Sequence, residues 1–312
     1  MPLSRRALVA LPLALTLPVL GRAARAQPAP LPVVASFSIL GDMLREVGGD
    51  GLAVRVLAGP DVDAHSFQPR PSDAQALRTA RLVVRNGLGF EPWLDRMLAA
   101  AGQQGRLVTA SQGITPRQAG PADHGHSHGH SHGHDHDAVD PHAWQDLRLG
   151  QSYVRTILAG LQAADPAGAA GHAARAEAYL ARLAALDAWV RAEIGRVPEA
   201  RRVVVTSHDA FGYFGAAYGV RFIAPQGVST AAEPSAAEVA RLIRLLKREG
   251  ITAVFLENMA NPATLNRLAA EAGVTVKGRL YADALSSADG PAPSYEAMFR
   301  HNVGLLTAAM RG

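Results

Sequence analysis

The sequence predicts an α/β protein of two parallel-sheet lobes joined by one long rigid helix. Three observations carry this. Strand-like apolar runs alternate with helical patterns over residues 32–100. The same alternation returns over residues 202–310. Between them, residues 169–194 form one unbroken helical pattern. Alternating β and α segments favour parallel sheets covered by helices.

In the first half, residues 32–37, 52–57 and 81–84 are short apolar runs and are expected as strands. Residues 39–47, 72–79 and 92–100 carry helical spacing. In the second half the expected strands are 202–206, 220–223, 252–256 and 274–276. The interleaved helices are 210–218, 236–249, 262–272 and 294–310. The central segment is rich in Ala, Leu, Arg and Glu and has no proline. Leu180, Leu183, Leu186, Trp189, Val190 and Ile194 follow a 3.6-residue period. At about 1.5 Å per residue, that helix is a rod about 40 Å long. It reads as a stiff strut, with one more surface helix on a sheet as the alternative. The expected division is an N-terminal lobe at 27–168, the linking helix at 169–197 and a C-terminal lobe at 198–312.

Residues 1–26 have the form of an export signal. Arg5 and Arg6 precede an apolar stretch at 7–19 that is too short to span a bilayer, and Ala24-Arg25-Ala26 fits the cleavage pattern. The expected location is the periplasm, with the export route, general or twin-arginine, left open. The signal carries four arginines, Arg5, Arg6, Arg22 and Arg25, and no carboxylate, so its loss brings Lys and Arg level with the 27 Asp and Glu. The high isoelectric point therefore does not point to nucleic acid. With no cysteine, disulfides, thiolate metal sites and a cysteine-linked lipid anchor are excluded, and a soluble protein is expected.

Seven of the twelve histidines lie at alternate positions in DHGHSHGHSHGHDHD, residues 123–137: His124, His126, His128, His130, His132, His134 and His136. Gly, Ser and Asp between the rings offer nothing to bury, so a disordered loop is expected. Neutral imidazole ligates zinc, copper and nickel, and the tract reads as a set of weak auxiliary metal sites. A polar low-complexity insert is the alternative.

Five histidines remain. His65, His142 and His208 lie beside strand ends or turns, where α/β folds gather ligand groups. His172 and His301 fall on expected helices and read as structural or surface residues. Three imidazoles leave room on zinc for a carboxylate or water. Asp283, after the last expected strand, is one candidate; Asp63, Asp140, Asp209 and Glu257 compete. Carboxylates beside a ligand histidine more often orient its ring.

Six segments in order, DAHSFQPRPSD, NGLGFEPWLDRML, DPHAWQD, TSHDAFGYF, STAAEPSAAEVARLI and YADALSSADGPAPSYEAMFRHNV, make the chain similar to the cluster A-I periplasmic metal-binding proteins, the zinc and manganese receptors of ABC importers. The resemblance spans nearly all of residues 27–312. It implies two α/β lobes joined by a single long helix, with metal between them. By motif it carries ligand roles to His65, His142, His208 and Asp283. Manganese-type members have a carboxylate at the position of His208, so the resemblance favours the zinc type, cysteine-free and with a His-rich loop.

The implied function is capture of Zn²⁺ as transported ligand and its delivery to a membrane ABC permease. A periplasmic zinc chaperone is left open as a further partner. No enzyme activity, nucleic acid or direct membrane anchor is implied, and a monomer is expected. Because binding needs neutral imidazoles, affinity is expected to fall as pH drops through about 6. The competing readings are a manganese-type receptor of the same family and a zinc hydrolase with an open metal position. The sequence has no HExxH, GxSxG or Walker A pattern. A metal buffer without a transporter would need only the tract. Glu257 or water in place of Asp283 stays open.

Overall fold

The computed structural model describes residues 29–119 and 139–312. The expected signal segment and the His-rich tract lie outside the described residues. In the first lobe, β1 (Leu31–Phe37), β2 (Leu52–Ala58), β3 (Leu82–Arg85) and β4 (Arg106–Thr109) form a sheet in the order β2-β1-β3-β4. Every pairing is parallel. The connecting helices are α1 (Ser38–Gly48), α2 (Pro71–Thr79) and α3 (Pro92–Ala101), followed by α4 (Leu147–Ala164). Residues Val33 to Phe37 of β1 are all buried, as expected of a strand covered on both faces.

The second lobe repeats the plan. β5 (Val203–Val205), β6 (Arg221–Ile223), β7 (Val254–Glu257) and β8 (Val276–Leu280) are parallel in the order β6-β5-β7-β8. Its helices are α6 (Gly212–Tyr218), α7 (Ala236–Glu249), α8 (Pro262–Ala272) and α9 (Tyr295–Arg311). In each sheet the order reverses beside the first strand, which opens a crevice at the carboxyl ends.

α5 (Ala169–Gly195) connects the lobes and packs along α1, α4 and α9. Its buried stripe is Ala176, Tyr179, Leu183, Leu186, Val190 and Ile194. Leu180 and Trp189, expected on that stripe, lie at its half-buried margin, where Trp189 carries the Arg300 guanidinium 5.2 Å from its ring centre. Arg182 pairs with Glu46 of α1 and, at 2.9 Å, with Glu296 of α9. The strut is thus glued to both lobes along its length. One continuous core runs from Phe37 and Leu40 through Trp144 and Leu183 to Phe211 and Phe299.

Two elements carry no expected bounds from sequence. β4 is a four-residue edge strand with Arg106 and Leu107 exposed, too short for a period. α4 follows Asp146, whose side chain accepts the Arg148 amide as an N-cap. β8 begins where the expected strand ends, because Lys277 and Arg279 face solvent on this edge and break the apolar run. No helix among the described residues is long and apolar enough to cross a membrane.

Candidate metal centre

Four side chains from far-apart segments meet between the lobes. His65 lies in the loop between β2 and α2. Asp63 sets that loop: Oδ1 accepts the His65 amide at 2.9 Å, and Oδ2 accepts the hydroxyls of Ser66 and Thr230, each at 2.7 Å. The Trp93 indole donates to Ala64 O at 2.7 Å from the other side. His142 follows Asp140-Pro141 just before α4. Asp140 Oδ1 accepts both the His142 amide at 3.0 Å and its ring Nδ1–H at 2.8 Å.

His208 follows β5. Glu257, at the end of β7, accepts the Ser207 and His208 amides through Oε1 at 2.9 and 3.0 Å, and the His208 Nδ1–H through Oε2. Asp283 follows β8. The carbonyl of its neighbour Ala282 accepts the Trp144 indole at 3.0 Å and the Gln145 amide at 2.9 Å.

One donor atom from each of His65, His142, His208 and Asp283 lies within 4.8 Å of all the others, and all four residues are buried. His65 is 8% exposed and the other three 0%. His65 Nε2 is 3.3 Å from His142 Nε2 and 3.3 Å from Asp283 Oδ2. Asp283 Oδ1 is 3.4 Å from His142 Nε2, and Oδ2 is 3.1 Å from His208 Nε2. A tetrahedron with ligands at about 2.0–2.1 Å from zinc has edges of about 3.3–3.4 Å, so these separations suit one central ion. His208 Nε2 and both Asp283 oxygens are buried without a hydrogen-bond partner. Such a cost is ordinarily avoided, and a cation at the centre would satisfy all three atoms.

Carboxylates behind the rings fix the tautomers. With Nδ1–H donating to Asp140 and Glu257, the Nε2 atoms of His142 and His208 face the centre, where each would offer a lone pair to a metal once its proton is displaced. His65 packs edge-on against Phe90, 4.5 Å between ring centres. Glu257, considered from sequence as a ligand, thus sits on the outer side of His208. Asp140 stands likewise behind His142, and Asp63 holds the His65 backbone. Asp209 directs its amide to Gln226 O and is absent from the cluster.

Burial alone would lower the His142 imidazolium, but Asp283 and Asp140 outweigh it and raise it to about 9. His208 goes well above its ordinary value because Glu257 and Asp283 overcome burial in the same way. Burial keeps His65 low despite Asp283. Burial would raise Asp283, yet His142 and His208 hold it well below the usual carboxylate range.

His172 and His301 lie elsewhere. The His172 ring meets Asp165 at 3.0 Å and Arg175 at 2.9 Å; the His301 ring donates to Arg279 O at 2.9 Å. Sequence reasoning passed over Asn86, Trp144, Gln145 and Tyr153, which hold the turns that carry the cluster. An Asn-Gly pair right after a strand was the available signal for Asn86. Gly87 has φ +88°, and a Cβ there would lie 2.4 Å from Thr109 Cγ2, so the turn admits only glycine.

Comparison with known proteins agrees with this architecture. The family described as "Zinc-uptake complex component A periplasmic" matches residues 33–309. The manganese-binding lipoprotein MntA of Halalkalibacterium halodurans is 32% identical over 280 residues, covering 90% of this chain and 88% of that protein. The zinc-binding protein TroA of Treponema pallidum is 30% identical over 283 residues, covering 89% and 88%. The solved structure of periplasmic zinc-binding TroA superimposes with a TM-score of 0.83 at 29% identity, covering 91% of this chain and 100% of that one. Both lobes, their shared core and the buried cluster lie within the matched span, and this chain belongs to the periplasmic zinc-uptake component A family, metal-binding receptors of ABC transporters.

Proposed function

We propose that this protein is the zinc receptor of an ABC importer, exported to the periplasm with residues 1–26 removed. Zn²⁺ is its cargo, held by His65, His142, His208 and Asp283 and passed to a membrane permease. The observation that carries this reading is the convergence of three imidazole nitrogens and a carboxylate on one buried point, all within 4.8 Å of one another, with four separations of 3.1–3.4 Å. Imidazole-rich donor sets suit zinc better than manganese, which prefers oxygen. The seven histidines of the tract serve as weak capture sites.

Burial of the whole cluster argues against hydrolysis, because a metal there has four protein donors and no place for an activated water. Manganese is the second reading. Asp283 faces the centre with both oxygens, which offers a fifth donor to an oxygen-preferring ion, and MntA is a manganese binder by name. Competitive titration of the metal-stripped protein with zinc and manganese separates them. One tight equivalent with zinc strongly preferred supports the proposal; preference for manganese overturns it.

A further inference from the structure

Asn86 is wholly buried at the carboxyl end of β3, yet it is polar and touches none of the four cluster residues by hydrogen bond. Its amide is fully used. Nδ2 donates to Gly87 O at 3.0 Å and to Pro141 O at 2.9 Å. Oδ1 accepts the Tyr153 hydroxyl of α4 at 2.6 Å. The Asn86 backbone is pinned as well: its amide donates to the buried Glu91 carboxylate at 2.6 Å, and its carbonyl accepts the Ser111 hydroxyl at 2.6 Å. Glu91 also accepts the Ser36 hydroxyl at 2.7 Å from the end of β1.

Pro141 immediately precedes His142. Asp140 governs the ring by its hydrogen bond, but it belongs to the same turn and moves with it. Asn86 is anchored instead in the sheet. Beyond His142, Trp144 and Gln145 grip Ala282 O, the carbonyl beside Asp283. The short segment 141–145 therefore carries one member of the cluster and holds a second, and Asn86 fixes it to the first lobe. A packing position alone would be filled more cheaply by an apolar residue of the same size, since a buried amide repays its desolvation only when every partner is in place.

We infer that Asn86 is a positioning residue for the metal centre: its side-chain amide, locked by Tyr153, sets the Pro141-His142 turn so that His142 and Asp283 meet one ion at tetrahedral spacing. This deepens the proposed function and rests on it.

The test uses Co²⁺ as an optical probe, with zinc competition, on the wild-type protein and on Asn86→Leu and Tyr153→Phe. Asn86→Leu is expected to lose about 10–100-fold in zinc affinity, the range typical of residues that orient ligands, and to lose the intense visible bands of tetrahedral cobalt. Tyr153→Phe keeps the Pro141 contact and frees the amide to rotate, so a smaller shift in the same direction is expected. It also keeps the test decisive if Asn86→Leu does not fold. Wild-type cobalt spectra in a folded Asn86→Leu, or in Tyr153→Phe when Asn86→Leu is unfolded, would overturn the positioning role. So would an affinity loss matched only by a lower melting temperature. If the wild-type protein itself binds no tight cobalt, or His142→Ala keeps it, the metal-centre reading fails first.

Discussion

Glu257 grips His208 at two points, accepting its backbone amide at 3.0 Å through Oε1 and its ring Nδ1–H through Oε2. The carboxylate comes from the end of β7 and the ring from the loop after β5, so two adjacent strands set the ring's angle. Glu257→Gln keeps the volume and removes the charge. The expected result is a loss of about 10–100-fold in zinc affinity with one equivalent still bound, read by competition with a chromophoric chelator. Unchanged affinity would mean the ring is held by packing alone.

The proposed tight site and the tract are expected to be separable. Deleting residues 123–137 is expected to leave one tight zinc equivalent while slowing capture at scarce zinc. His208→Ala removes a donor and is expected to abolish tight binding in the full chain. If tight binding instead vanished with the tract, the cleft would not be the site.

Proton release follows from the raised imidazoles. In the metal-free protein Asp283 and Asp140 hold His142 up at about 9 against burial, Glu257 and Asp283 hold His208 above its ordinary value, and burial keeps His65 below its own. A metal ion bound at Nε2 would displace the proton of a raised ring, so net proton release on binding is expected. Titration calorimetry in buffers of different protonation enthalpy reads this release. Affinity then keeps rising toward pH 9, the His142 value, instead of levelling off just above 6 as ordinary imidazoles would make it.

The same groups give the metal-free fold its pH dependence. A histidine raised in the fold stabilises it below its unfolded value and loses that contribution as pH climbs through its folded value. For His142 the window runs from 6.5 to about 9, so metal-free melting temperature is expected to fall across it. Asp283 has the opposite sign: its contribution is present above 3.8 and is lost as pH falls through its depressed folded value. Thermal melts of stripped protein across pH 6–9 check the first window; a flat profile there would contradict it.

Gly150 on α4 sits against Tyr295 of α9. Glycine to alanine inside a helix ordinarily gains about 1 kcal/mol. Here the new Cβ would lie 2.3 Å from the Tyr295 hydroxyl, which donates to Trp144 O. Tyr295 cannot retreat easily, because its amide is bonded to Asp42 at 2.8 Å. Overpacking of about 1–3 kcal/mol therefore wins, and Gly150→Ala is expected to melt lower. A gain in melting temperature would show that α9 gives way.

Much of the fold is legible in local pattern. Alternating strands and helices reflect periods of two and 3.6 residues that any buried face imposes. The helix at α5 was plain because it is long and free of proline. The three histidines stood out because each lies beside a strand end or a turn, whereas Asp283 was one of five candidate acids and was singled out by the family resemblance. β4 was not legible, being four residues long with half of them exposed. The α5 spacing was legible, but not that Leu180 and Trp189 would pack at the half-buried margin of the core, since only neighbours decide how far an apolar side chain is covered.

What the sequence by itself determined was the architecture, the donor types and the family resemblance: those depend on residue chemistry and spacing along the chain. What only the tertiary structure decided was the placement of each carboxylate. Asp283 faces three Nε2 atoms while Glu257 and Asp140 stand behind the rings on Nδ1. All three are buried acids near strand ends or turns. A side chain's partner is set by the relative placement of two sheets that share no local sequence, and no period or propensity encodes that distance.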